Sequence, residues 1–171
     1  MAKTFIVDAS TACDAGTKDP PTERGLLARA FLDALRDAGH SLALTPALVQ
    51  EWENHAGRMA RRWLVTMYAR RRVRHIATGN TQALRVGALK TAPTPNIRAE
   101  MTKDWHLLDA ALGTDRTIAS SDDLARGWYA HAATVVRGLR LIVWVNPSTS
   151  DLSAWLHTGA PADTTKQLGA D

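Results

Sequence analysis

Apolar positions along the chain fall into two alternating patterns. Short continuous runs, Phe5-Ile6-Val7, Leu42 to Leu44, Thr117 to Ala119 and Leu141 to Val145, read as strands buried on both faces. Between them the apolar spacing becomes helical. Thr22 caps a helix running to about Ala38, with Leu26, Leu27, Ala30, Phe31, Ala34 and Leu35 at helical spacing and Gly39 as the stop. Thr45 caps the next helix with Pro46 at its first position. Leu48, Trp52, His55, Met59, Trp63 and Met67 then recur every three or four residues, as one long helix or as two with a break at Gly57. Gly79-Asn80 and Thr91 to Pro95 are breakers that bracket a short helix around Gln82 to Leu89. Further helices are predicted over Ile97 to Leu112 and Asp122 to Val136, and a short one with Trp155 packs back after Asn146-Pro147 ends the last strand. Cys13 to Thr22 reads as a polar loop.

Strands alternating with helices imply right-handed crossovers and an α/β fold with a parallel sheet covered on both faces. A chain of 171 residues is one domain by length. We place it at residues 1–157, with residues 76–99 as an inserted basic connector and the small, polar residues 158–171 as a mobile tail. The single cysteine, Cys13, excludes a disulfide framework and a cysteine zinc site, and fits a reducing compartment. The first apolar run is too short for a signal peptide, and no stretch approaches the ~20 residues needed to cross a bilayer, so a cytoplasmic protein with no membrane partner is expected.

Charge is unevenly spread. The net charge is +4, yet from Asn54 to Ala99 there is no acidic residue, while Arg58, Arg61, Arg62, Arg70, Arg71, Arg72, Arg74, Arg85, Lys90 and Arg98 fall in that stretch. Such asymmetry suggests a polyanion, and Arg58, Arg62, Arg70, Arg71, Arg72 and Arg74 are the candidate nucleic-acid contacts. A solvated helix face or a dimer surface is the plainer account of the same residues.

Four acids stand where such a fold gathers ligands, at the carboxyl ends of strands and at helix starts. They are Asp8 after the first strand, Glu51 in TPALVQEW, Asp104 in KDWHLLDAAL and Asp122 in IASSD. Each alone could simply cap a helix or complement its dipole, but capping does not explain why all four fall at one sheet edge. Carboxylates from four segments suit one Mg²⁺ or Mn²⁺ ion, or two about 4 Å apart, with open positions for a phosphate. Glu53 falls about 200° round the helix from Glu51, and Asp109 points to another side of its helix than Asp104, so only one acid of each pair can join the cluster; Glu51 and Asp104 are the ones favoured. Ser10 and Ser120 can hydrogen-bond the carboxylates, and Asp123 supports or caps.

The elements Asp8-Ala9-Ser10, Thr45 to Glu51, Asp104 with Ala110-Ala111, and Ser120-Ser121-Asp122 stand in the order and at the separations of the PIN-domain family of metal-dependent nucleases, which residues 3–145 resemble. The resemblance implies a three-layer α/β/α sandwich around a central parallel sheet of four or five strands. It also implies a magnesium- or manganese-dependent endoribonuclease, with Asp8, Glu51, Asp104 and Asp122 both holding metal and catalysing, and products carrying a 5′-phosphate and a 3′-hydroxyl. RNA is the implied partner. Many small relatives of this kind are toxins of toxin–antitoxin pairs, which adds a cognate antitoxin protein and a homodimer, and others are processing enzymes.

Other motifs are weaker. Glu51 and His55 lack the rest of a zinc motif, so His55, like His106, His131 and His157, reads as a core or supporting residue. Trp105 and Trp128 are candidates for base stacking, against a default of core packing. An aspartyl-nucleophile phosphatase would need an acid where Ser10 stands. The alternative of a different class is a non-catalytic nucleic-acid or protein interaction module on the same fold.

Overall fold

The four apolar runs are strands β1 (Thr4–Val7), β2 (Ser41–Leu44), β4 (Thr117–Ala119) and β5 (Val143–Val145), with every residue buried, and a fifth strand, β3 (Val73–His75), joins them. The sheet has the order β3-β2-β1-β4-β5 and every pairing is parallel. This computed structural model describes residues 1–16, 20–77 and 79–170. Residues 17–19 of the expected polar loop, residue 78 of the connector and residue 171 of the tail lie outside the described residues.

Helices α1 (Ala9–Asp14), α2 (Glu23–Asp37), α3 (Pro46–His55), α4 (Arg58–Ala69) and α8 (Ser153–His157) pack among themselves on one face. Helices α5 (Gln82–Leu89), α6 (Pro95–Leu112) and α7 (Asp123–Val135) do so on the other, giving a three-layer α/β/α sandwich. Caps fix the starts. Thr22, Thr45 and Thr94 accept from the backbone N–H three residues on, with Pro46 and Pro95 in the first turn of their helices. Gly39, at φ 80°, ends the α2 connection as expected. Residues 76–99 supply α5 and the start of α6 and so belong to the second layer. Among the described residues no helix is long and apolar enough to cross a membrane.

Three expectations change. Cys13 and Asp14, the first residues of the expected loop, are helical and end α1. Arg70 to Arg74 do not lie on a helix: Arg70 ends α4, Arg71 takes φ 57° in the turn, Arg72 precedes β3 and Arg74 lies within it. The described part of the tail is docked. The Leu168 N–H donates to the Ile142 carbonyl at 2.8 Å, Gln167 bridges antiparallel to Val143, and Ala160 and Leu168 are buried, so the tail closes the β5 edge.

The helix break at Gly57 is a packing requirement. A Cβ added there would lie 2.5 Å from the Cα of Gly16, and one added at Gly16 would lie 2.5 Å from the Cα of Gly57. The end of α1 and the α3–α4 junction therefore meet backbone to backbone. Gly57→Ala should destabilise the protein by about 1–3 kcal/mol through overpacking, measured as a lower midpoint of urea unfolding at unchanged slope; an unchanged midpoint would show that the junction moves apart freely.

Candidate active site

Because all strands run one way, their carboxyl ends share one edge, and the strand order reverses between β1 and β4. Asp8 follows β1 at that point, and its N–H continues the ladder by donating to the Ala119 carbonyl at 2.9 Å. Its Oδ2 accepts from the hydroxyls of Ser10 and Ser120, the latter at 2.7 Å. Each serine oxygen also accepts a backbone N–H from the β4 end, Ser10 from Ser121 at 3.1 Å and Ser120 from Asp122 at 3.2 Å. The two serines therefore tie Asp8 to the segment carrying Asp122. Asp122 caps α7, its Oδ1 accepting the Ala125 N–H at 2.9 Å.

Glu51 is carried to the same edge by α3. The neighbouring Trp52 is 2 % exposed and donates its indole N–H to the Val7 carbonyl at 2.8 Å, which pins α3 to the last residue of β1. A cleft of about 320 Å³ results, lined by Asp8, Ser10, Cys13, Glu51 and His55. Glu53 lies elsewhere, beside Arg61 and Tyr68. Asp104 is eight residues before the end of α6, about 12 Å of helix. The charges of Asp8, Asp122 and Glu51 reach it there, which sets Asp104 near the acid edge. Burial, with the charges of Asp8, Asp122 and Glu51, pushes the Asp104 carboxyl up to about 6, against the opposing pull of His106.

The four acids thus bear on one another electrostatically, and each keeps a carboxylate oxygen with no hydrogen-bond donor among the described residues: Asp8 Oδ1, Glu51 Oε1, Asp122 Oδ2 and both oxygens of Asp104. Among the described residues no three His, Cys, Asp or Glu side chains stand close enough to hold a metal ion by themselves. Mg²⁺ is commonly held by one or two carboxylates, with water and phosphate oxygens completing its shell. An open, all-oxygen donor set of this kind fits that habit.

His106 is the residue that sequence reasoning undervalued. Its Nδ1 faces the Lys103 carbonyl at 2.8 Å and its Nε2 faces Glu51 Oε2 at 3.1 Å, so this geometry favours hydrogen on both nitrogens. Burial opposes the charged ring, but the hydrogen bonds to Glu51 and Lys103 and the charges of Glu51 and Asp8 raise its pKa overall. No spacing announces this pair, which depends on how α3 and α6 meet. Asp109, the competitor of Asp104, is buried and accepts from the Thr81 hydroxyl, away from the other acids. Asp123 begins α7 and lines a separate hollow with Arg126 and Lys166, so it neither caps nor supports the cluster. Trp105 is buried with its N–H on Thr81, and Trp128 is packed against the core, which leaves neither as a free stacking platform.

The arginines are not gathered at the acids. Arg58 and Arg62 lie exposed near the start of α4, while Arg70, Arg71 and Arg72 precede β3 and so stand at the amino-terminal edge of the sheet, opposite the acids. Arg70 pairs with Asp37 at 3.6 Å there, and Arg74 is exposed on the edge strand. Comparison with protein-family models, with curated proteins and with solved structures finds no match. The functional argument therefore rests on these residues.

Asp104 supplies a pH test. Its ordinary value is 3.8 and its folded value is about 6, so the folded state favours the protonated acid, and ionisation costs stability that accrues as pH rises from about 4 through 6. The stability from His106, whose pKa is raised, is present below about 6.5 and lost as pH rises further; comparing variant with wild type at each pH isolates Asp104. Asp104→Asn should raise the melting temperature of protein in chelator at about pH 7.5, and raise it much less at about pH 4.5. Calorimetric scans at the two values check this; a gain that does not depend on pH would mean that Asp104 does not carry the repulsion.

Proposed function

We propose that the protein is a Mg²⁺- or Mn²⁺-dependent nuclease that hydrolyses phosphodiester bonds of RNA. The observation that carries this reading is the convergence of Asp8, Glu51, Asp104 and Asp122 toward the strand-order reversal, each with an oxygen that has no partner among the described residues, and with Asp104 raised to about 6 by burial and by its acidic neighbours. A bound divalent cation supplies an activated water and a counter-charge for the phosphate. The side chains do the rest. Ser10 and Ser120 hold Oδ2 of Asp8 and leave Oδ1 without a donor among the described residues; His106 fixes Glu51 through one oxygen; the α7 cap fixes Asp122 through Oδ1. Asp104, without such a partner among the described residues, is the carboxylate free to shift between proton and metal.

In this reading Arg58 and Arg62, at the start of α4, contact the RNA backbone without regard to sequence, and Arg70, Arg71, Arg72 and Arg74 meet only a strand long enough to run along the β3 edge. The toxin role, the cognate antitoxin partner and the homodimer enter the proposal solely through the family resemblance. A non-catalytic interaction module on the same fold is the competing reading.

Incubation of purified protein with end-labelled single-stranded RNA in Mn²⁺ tests the proposal. Cleavage should stop in excess chelator. It should fall about 100-fold or more in Asp8→Asn and about tenfold in Ser120→Ala, which disturbs a carboxylate without removing it. Cleavage that survives both Asp8→Asn and chelation overturns the metal mechanism, and absence of cleavage from folded wild-type protein on varied RNAs favours the interaction module.

A further inference from the structure

Beside the acid edge lies a second pocket, of about 340 Å³, between the first turn of α5 and the outer face of α6. Asn80, Gln82, Arg85, Lys103, His106 and Asp109 contribute to its lining. None of these except His106 touches the four acids by hydrogen bond, and His106 joins the two places: it lines this pocket and faces Glu51 at 3.1 Å.

Two features of the lining ask for a ligand. Asp109 is only 6 % exposed. The Trp105 indole can only donate, and it donates to the Thr81 oxygen at 3.1 Å, so Thr81 turns its own hydrogen to Asp109 Oδ1. Oδ2 is left with no donor among the described residues. Arg85 is half-buried and makes no side-chain hydrogen bond or ion pair with any described residue, while Lys103 is engaged by Glu100 at 2.8 Å. The pocket therefore holds a cationic group and an acceptor oxygen, neither with a partner among the described residues and the two separated by more than ion-pair distance, with two amide side chains beside them.

We propose that this pocket binds one nucleotide of the substrate strand next to the scissile phosphate, with the phosphate on Arg85 and an N–H or O–H of base or ribose donated to Asp109 Oδ2. The proposal rests on the nuclease reading. A nucleotide carries both an anion and donors, the volume lies at the small end of the ~300–1,000 Å³ usual for ligand pockets, and the link through His106 sets the pocket beside the acids. It also gives a role to the segment from Gly79 to Leu89, which the four acids do not use.

Titration calorimetry of the full chain in chelator, with each of the four 5′-ribonucleoside monophosphates and the matching nucleosides, tests the site apart from any metal. At least one monophosphate should bind saturably, and its nucleoside about tenfold more weakly. Arg85→Ala should weaken the monophosphate by about tenfold, and Asp109→Asn should change the order of preference among bases. Gln82→Ala, at an exposed position, should also weaken binding and serves where Arg85→Ala unfolds the protein. RNA cleavage is followed in parallel, where these variants should raise KM more than they lower kcat. Failure of folded wild-type protein to bind any of the four, or binding indifferent to both Arg85→Ala and Gln82→Ala, overturns the subsite whether or not RNA is cleaved. Binding with the stated properties in protein that cleaves no RNA upholds a nucleotide pocket and overturns the nuclease reading instead.

Discussion

Repulsion among carboxylates held at one edge of a parallel sheet is the constraint around which the polar residues of this protein are arranged. Asp8 receives two serine hydroxyls, Asp122 the first turn of α7, and Glu51 the ring of His106. Asp104 receives none of these among the described residues, and burial, with the charges of the other acids added, raises its carboxyl to about 6. Structural ion-pair networks usually settle such costs with a resident lysine or arginine. Here Lys103, which feels the charge of Asp104, is engaged by Glu100, and Arg70 pairs with Asp37 at the other end of the sheet.

The apolar architecture serves the same edge. Trp52 ties α3 to the end of β1, stacks on Trp63 with ring centres 6.0 Å apart, and Trp63 in turn donates to the Leu32 carbonyl of α2 at 2.6 Å. A change in how α2, α3 and α4 pack would therefore move Glu51 relative to Asp8. The backbone contact of Gly16 with Gly57 fixes the same relation from the other end of α1. On the opposite face, Tyr129 of α7 donates to the Met101 carbonyl of α6 at 2.5 Å and so holds the helix that carries Asp104.

Much of this was legible in the chain because its causes are local. Four strands are fully buried and read as unbroken apolar runs, and Thr22, Thr45 and Pro46 announce helix starts by chemistry that acts within one turn. The acids could be placed because each follows a strand or sits at a counted step along a helix. β3 escaped notice because an edge strand buries one side only, and Val73-Arg74-His75 has no apolar pattern to show. The docking of the tail left little mark because it depends on two apolar residues, Ala160 and Leu168, within a polar composition. The Glu51–His106 pair and the second pocket arise from helix-to-helix packing, which leaves no mark at fixed sequence spacing.

The central claim is that the four carboxylates form a place for a divalent cation that competes with a proton. Calorimetric titration of Mn²⁺ into metal-free protein at about pH 5 and about pH 7.5 addresses it most directly, because Asp104 changes charge between those values. Saturable binding at the higher pH, markedly weaker at the lower and accompanied there by proton release, is the predicted result. No saturable binding at either pH, or an affinity that ignores pH across that interval, would contradict the account.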